Sequence, residues 1–191
     1  RVTDKTLLGL SLTAAQFGAA NSFFIFSLAP LFAVLWTRLA RRGWEPSTPV
    51  KFSLGIAQAG LGFGALVYGA QFPDQAGLVS AWWLILAYLL HTTGELCLSP
   101  VGLSAVTKLA VPSVVGVMMG SWFLASAYSS YVAAQIATIA ARPATEATLD
   151  RAGALAGYTE LFAQLLTIGL AGGAVLIVLS PILRRLMHGV R

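Results

Sequence analysis

Charged residues are scarce in this chain of 191 residues, because Lys, Arg, Asp and Glu together make up only 10% of it. An ordinary soluble domain carries about 25% charged residues and is about 45–50% apolar. Hydrophobic residues here make up 57% of the sequence. Since the few charges are confined to short stretches between long apolar runs, the composition indicates a membrane protein surrounded by a lipid bilayer.

Cysteine is also nearly absent, and the single Cys97 excludes an internal disulfide. The sequence has no Cys/His spacing suited to a metal, no nucleotide-binding loop and no catalytic triad. We therefore expect no metal, no cofactor and no enzymatic activity. The formal net charge is +5, but the basic residues form no stripe with interleaved aromatics, so a nucleic-acid partner is not expected.

Five apolar runs are each long enough to cross a hydrocarbon core of roughly 30 Å. Their hydrophobicity is continuous rather than alternating, which predicts helices. The fold class is therefore an all-α membrane protein with five transmembrane helices. The predicted spans are about residues 15–37, 52–72, 80–104, 113–141 and 159–183.

Basic residues in the connections predict the orientation, because cytoplasmic loops carry an excess of Lys and Arg. The larger set is expected in the cytoplasm, with the N-terminus of the chain outside and its C-terminus inside. That set contains Arg38, Arg41, Arg42, Lys51, Lys108, Arg184, Arg185 and Arg191. The smaller set, on the opposite side, contains Arg1, Lys5, Arg142 and Arg151.

Three pairs of glycines lie four residues apart within these spans. Each pair places two small residues on one helical face, so we expect close helix packing there, with a hinge as the alternative. The pairs are Gly60 and Gly64, Gly116 and Gly120, and Gly169 and Gly173.

The third span contains a carboxylate, Glu95, between an uncharged run and an apolar stretch that extends to Lys108. Ionisable groups inside membranes are costly and usually functional. Such a carboxylate can hold a cation and a proton in turn, which suits a symporter. The alternative is a structural carboxylate that pairs with another helix.

Polar and helix-bending residues surround Glu95 in the sequence. Ser99 follows it by four residues and shares its helical face. Pro100 removes a backbone N–H, and Gly102 eases bending, so we predict a kink that exposes polar backbone to a substrate cavity. The alternative is a kink that only shapes packing. His91 could extend the row of Glu95 and Ser99, although a bond to a neighbouring helix is the more common use of such a histidine.

Two further polar or amphipathic residues lie deep in the spans. Asn21 can donate and accept hydrogen bonds, either to a ligand or to another helix. Trp122 lies too deep for an interfacial belt, which makes it a candidate for a cavity wall. By contrast, Trp44, Trp82 and Trp83 are expected to be interfacial anchors.

The segment from Glu95 to Pro112, together with Met118 to Leu124, resembles the tenth and eleventh helices of the proton-dependent oligopeptide transporter family. The segments Leu28 to Leu39 and Arg41 to Phe52 are similar to the family's eighth helix and the loop after it. The resemblance covers nearly the whole chain. It implies the major facilitator fold, with twelve helices in two halves, of which this chain would supply helices eight to twelve.

The resemblance also implies a function, namely symport of di- and tripeptides with protons across the plasma (inner) membrane by alternating access. By analogy with the family, Glu95 would bind the peptide's N-terminal ammonium, with Ser99 nearby. Trp122 would shape a side-chain pocket, and Asn21 would contact the peptide backbone or terminus. The family usually has Ser-Leu-Asn-Pro where this chain has Ala19-Ala-Asn-Ser22, a departure that concerns the local helix geometry.

The family's N-terminal half, with its ExxERFxYY motif, and its seventh helix have no counterpart in these residues. The chain begins at Arg1 without an initiator Met, as expected for part of a longer protein. Because alternating access moves one half against the other, this part alone is not expected to transport. Two alternatives stay open: a related facilitator for nitrate or an amino-acid derivative, and a membrane assembly subunit that does not transport.

Overall fold

The computed structural model describes residues 3, 6–7, 10–11, 13–141 and 151–187. Long helices account for most of the described chain, which confirms the all-α prediction. They are α1 (Ala14–Arg41), α2 (Thr48–Gly69), α3 (Ala81–Leu109), α4 (Val115–Ala141) and α5 (Arg151–Leu186). A short 3-10 turn, Pro112–Val114, precedes α4, and two-residue strands β1 (Thr6–Leu7) and β2 (Leu10–Ser11) pair antiparallel before α1. Of the basic residues used to predict orientation, Arg1, Lys5, Arg142 and Arg191 lie outside the described residues.

Local sequence signals explain where the helices begin. Thr13 caps α1 in a reciprocal capping box with Gln16, so that two backbone N–H groups of the first turn are satisfied. The Ser80 side chain accepts a hydrogen bond from the Trp82 backbone N–H at the start of α3. At the first turn of α2, Pro49 occupies a position where a helix does not need its N–H.

Four stretches of the described helices are long and apolar enough to cross a membrane: Gly18–Arg41, Thr48–Gly69, Ala81–Leu109 and Gly153–Leu186. Helix α4, which contains the fourth predicted span, is 27 residues long and is not one of these four stretches. The Ser121 and Ser126 hydroxyls of α4 donate to the carbonyls of Val117 and Trp122 in the same helix. Because these hydroxyls are satisfied internally, α4 is compatible with an apolar environment, and its crossing of the bilayer stays a prediction.

Helix α2 packs between α3 and α5. Gly55, Gly62 and Gly69 lie seven residues apart, so they share one face of α2. A Cβ atom at any of the three would overlap a side chain of α3, and the residues that fill these positions are Leu98, His91 and Trp83 respectively. The missing Cβ atoms therefore let α2 and α3 approach closely.

The predicted glycine pairs have two different outcomes. A Cβ atom on Gly169 would lie 2.6 Å from the Gly60 Cα, so the backbones of α2 and α5 touch there. Gly173 also contacts α2, where its carbonyl accepts a 2.6 Å hydrogen bond from the Ser53 hydroxyl. These contacts confirm close packing at Gly60 and Gly64 and at Gly169 and Gly173. Around Gly116 and Gly120, no described atom outside the local backbone of α4 lies within 4 Å of the Cβ positions, so close packing at this pair stays a prediction.

Lys51, predicted to be a loop cation, is buried at the start of α2, with 4% of its surface exposed. Its ammonium forms an ion pair with Glu45 at 2.5 Å and lies 4.8 Å from the ring centroid of Trp36. The charge is thus satisfied by a carboxylate and an aromatic face. This cluster joins the end of α1 to the start of α2.

Candidate functional site

Helix α3 has one face inside the helix bundle and one face that is open. Gly94, Leu96 and Cys97 are buried, whereas Glu95 is exposed. A Cβ atom on Gly94 would lie 2.6 Å from the Gly55 carbonyl oxygen, so this residue faces α2. Among the described residues, no hydrogen bond or ion pair engages the Glu95 carboxylate. The alternative of a structural carboxylate therefore has no partner for Glu95 in the described part of the chain.

Ser99 and Gly102 continue the side of α3 that Glu95 occupies, because they follow it by four and seven residues. Gly102 is buried, and a Cβ atom there would overlap the six-membered ring of Trp122. Gly102 thus provides room for an indole from α4. From the sequence, only a role in bending was expected for this glycine.

Pro100 lies on the same helix, between Ser99 and Gly102. It has no N–H to donate to the carbonyl of Leu96, yet α3 is helical without interruption from Ala81 to Leu109. The kink predicted at Pro100 and Gly102 stays a prediction.

Asn21, on α1, contacts α3 through Thr92. The Thr92 hydroxyl donates to the Asn21 carbonyl oxygen Oδ1 at 2.5 Å, and the backbone oxygen of Tyr88 lies 2.8 Å from the same hydroxyl. The interhelical use of Asn21 is therefore present in the structure. Helix α1 runs unbroken from Ala14 to Arg41, so its geometry is helical at the Ala19-Ala-Asn-Ser22 departure.

Thr92 was not predicted from the sequence. Its side chain is fully buried, with 0% of its surface exposed. The available signal was a hydroxyl three residues before Glu95, on the same side of a transmembrane helix.

His91 does not extend the surface that carries Glu95. Its ring lies over Gly62 and packs against Phe63 of α2, with 4.7 Å between ring centroids. The ring nitrogen Nε2 is buried without a hydrogen-bond partner in the described structure. The row of His91, Glu95 and Ser99 suggested by their spacing is therefore divided between two faces of α3.

An apolar cavity of about 420 Å³ lies between α3, α4 and the start of α2. Its lining includes Gly102, Met118 and Trp122, while Glu95, Ser99 and Asn21 are not part of it. Ligand pockets in proteins typically enclose about 300–1,000 Å³. The cavity thus has the size of a small binding pocket and adjoins the Gly102 end of the Glu95 side of α3.

These residues form what we call the α3 strip: Asn21 with Thr92, then Glu95, Ser99, and Gly102 with Trp122. Thr92 and Gly102 are ten residues apart, which corresponds to about 15 Å along the helix axis at roughly 1.5 Å per residue. The strip offers an amide, a carboxylate and a hydroxyl in sequence, followed by an aromatic wall. It is suited to a ligand a few residues long that has a cationic group near one end.

The sequence matches one family model and several known transporters over most of its length. The family model PTR2, described as POT family, matches residues 1–156. The uncharacterized transporter YclF of Bacillus subtilis is 40% identical over 185 residues, which cover 97% of this chain and 34% of that protein. Dipeptide and tripeptide permease B of Aeromonas hydrophila is 34% identical over 95% of this chain and 36% of its own length.

Solved structures show the same relationship in three dimensions. A peptide transporter POT in complex with sulfate matches with a TM-score of 0.79 and 35% identity, over 97% of this chain and 34% of that one. A POT family transporter in complex with a thioalcohol-conjugated peptide matches with a TM-score of 0.76 and 29% identity, over 94% of this chain and 34% of its own. The present chain thus spans about a third of the length of these proteins.

Proposed function

Since this chain belongs to the POT family and is a multi-pass membrane protein, we propose that the intact protein is a proton-coupled symporter of di- and tripeptides. The observation that carries the proposal is Glu95, an exposed carboxylate on the open face of α3 with no partner among the described residues. A peptide ammonium would supply the missing opposite charge. The name of the Aeromonas hydrophila relative, a dipeptide and tripeptide permease, supports this substrate class.

We propose that the residues of the α3 strip form the substrate site. Glu95 binds the peptide ammonium, and Ser99 lies one helical turn further along for a hydrogen bond to the backbone. Asn21 contacts the peptide backbone near the ammonium. Trp122 contacts a side chain of the peptide. Its ring lies at Gly102, seven residues beyond Glu95, which is about 10 Å along the helix axis from the residue that binds the ammonium.

The remaining parts of the proposal concern the intact protein. Its N-terminal half supplies the opposite wall of the site, and this chain supplies helices eight to twelve of a major facilitator fold. Substrate access alternates between the two sides of the membrane as the halves move around the site. We place the protein in the plasma (inner) membrane with the C-terminus of this chain in the cytoplasm, because the larger basic set lies on that side. Protons are the coupling ion, and no cofactor is involved.

The alternatives are less well supported by the strip. Nitrate would meet the negative charge of Glu95, which is unfavourable without a nearby cation. An assembly subunit would need a partner for Glu95 on another protein. An amino-acid derivative keeps the ammonium, so it is the competing substrate that the uptake experiment must include.

The test is uptake of labelled dialanine by the intact protein in proteoliposomes, driven by a pH gradient that is acidic on the side from which peptide enters. We expect uptake that a protonophore abolishes, that unlabelled trialanine inhibits, and that alanine and nitrate leave unchanged. Folded protein that neither binds nor transports dialanine would refute the proposal. Inhibition by alanine alone would instead identify an amino-acid transporter.

Replacing Gly102 by Ala is expected to disturb the side-chain pocket, because the new methyl group would overlap the Trp122 ring. One methylene in an apolar pocket is worth about tenfold or more in discrimination. We expect the affinity for alanyl-phenylalanine to fall about tenfold while that for dialanine changes little, as measured by competition against labelled dialanine. Gly172→Ala is the matched control, since its methyl would meet only Ile56 at an ordinary 3.5 Å. Equal loss for both peptides would contradict a side-chain pocket at Trp122.

A further inference from the structure

Thr92 is a buried hydroxyl that the proposed mechanism does not use. Its side chain has 0% exposure, and it lies between α1 and α3. Two acceptors are within its reach, Asn21 Oδ1 at 2.5 Å and the Tyr88 carbonyl oxygen at 2.8 Å. A hydroxyl carries a single proton, so donation to Asn21 takes the place of donation to the Tyr88 carbonyl, which could satisfy the hydroxyl alone. The contact to Asn21 therefore goes beyond what burial of Thr92 requires.

The contact restricts Asn21 more than it restricts Thr92. A primary amide has one carbonyl oxygen with two lone pairs and an NH₂ group with two donors. With Oδ1 accepting from Thr92, the orientation of the amide plane is set. Neither N–H of Asn21 has a partner among the described residues, so both stay available to a ligand.

The position of Thr92 links this contact to the carboxylate. Thr92 precedes Glu95 by three residues, which is about 4.5 Å along the axis of the same helix. When Glu95 holds the peptide ammonium, the first carbonyl oxygen of the peptide lies a few ångströms from that ammonium. The Asn21 amide, held by Thr92 about 4.5 Å along the helix axis from Glu95, is placed to donate an N–H to that oxygen.

We propose that Thr92 is a positioning residue of the peptide site: its hydroxyl fixes the Asn21 amide so that the N–H groups face the peptide carbonyl next to the ammonium. The inference rests on the proposed function. Thr92 does not touch the substrate and acts through Asn21. Its loss should therefore weaken substrate binding more than it slows turnover.

The experiment measures KM and kcat for dialanine uptake by the intact protein in proteoliposomes, with melting temperatures recorded for every variant. Thr92→Val removes the hydroxyl and keeps the shape, and we expect KM to rise about tenfold with kcat within about twofold, since a net hydrogen bond is worth up to about a tenfold change. Thr92→Ser retains the hydroxyl and should restore most of the affinity. If Thr92→Val folds poorly, Thr92→Ala removes the same hydroxyl with a smaller side chain.

Thr93 provides the matched control, because its hydroxyl donates at 3.0 Å to the Leu90 carbonyl of its own helix and does not contact Asn21. Thr93→Val should keep the wild-type KM. In an Asn21→Leu background, which itself raises KM, Thr92→Val should add nothing further.

The outcomes distinguish failure of the positioning role of Thr92 from failure of the proposed transport function. A wild-type KM for Thr92→Val, or an equal rise of KM with and without Asn21, would overturn the positioning role while leaving peptide transport intact. A wild-type protein that takes up no dialanine would overturn the proposed function itself.

Discussion

Glu95→Gln is expected to lower pH-gradient-driven uptake of dialanine by at least about thirtyfold in the intact protein. Removing one partner of a desolvated charge pair typically costs about 2–5 kcal/mol, and about 1.4 kcal/mol corresponds to tenfold. Gln keeps the size of the side chain and one acceptor oxygen, but it can neither balance an ammonium nor exchange a proton. The loss should appear in both binding and pH-driven accumulation.

The folded state should not depend on this charge, since no described residue pairs with Glu95. The melting temperature of Glu95→Gln should therefore match that of the wild type. Glu160→Gln makes the same chemical change at an exposed carboxylate on α5, and we expect it to transport normally. Glu95→Asp keeps the charge on a shorter side chain and should retain part of the uptake. A Glu95→Gln variant that transports normally but melts at a lower temperature would make Glu95 a structural residue.

Helices α3 and α5 of the structure extend beyond the spans predicted from hydropathy. The third span was predicted to end at residue 104, whereas α3 continues to Leu109. The fifth was predicted to begin at residue 159, whereas α5 begins at Arg151. Hydropathy reports the apolar slab that a helix crosses, while backbone hydrogen bonds can continue through the polar residues on either side of it.

Most residues of the candidate site were visible in the sequence because polar residues are conspicuous in an apolar run. Glu95 and Asn21 stand out in this way. Thr92 did not, because its significance depends on a partner 71 residues away. Likewise, the burial of Lys51 depends on Glu45 and Trp36, whose approach only the packing of α1 and α2 creates.

The directions of side chains on α3 were the least predictable feature. His91 and Glu95 are four residues apart and could share a surface, yet His91 turns toward α2 because Gly62 leaves space for its ring. In the same way, Gly102 leaves space for the ring of Trp122. Which glycine opens which interface depends on the relative register of two helices, and a single sequence does not contain that information directly.

Gly94→Ala is expected to destabilise the intact protein by about 3 kcal/mol, at the upper end of the usual cost of overpacking. The new Cβ atom would lie 2.6 Å from the Gly55 carbonyl oxygen and 3.3 Å from the Ala59 nitrogen, both of them backbone atoms of α2. A flexible side chain could rotate away, but a helical backbone cannot. Helices α2 and α3 must therefore separate, and the separation also loosens the neighbouring contacts of the interface.

The measurement is thermal unfolding of the intact protein in detergent, followed by loss of monodisperse folded material. Gly172→Ala is again the control, because its methyl would make an ordinary 3.5 Å contact with Ile56 while an alanine favours the helix by up to about 1 kcal/mol. The two variants make the same chemical change and should shift the melting temperature in opposite directions. Equal melting temperatures would mean that the α2–α3 interface adjusts to the extra methyl, and that Gly94 is not required for the approach that places Glu95 on the open face of α3.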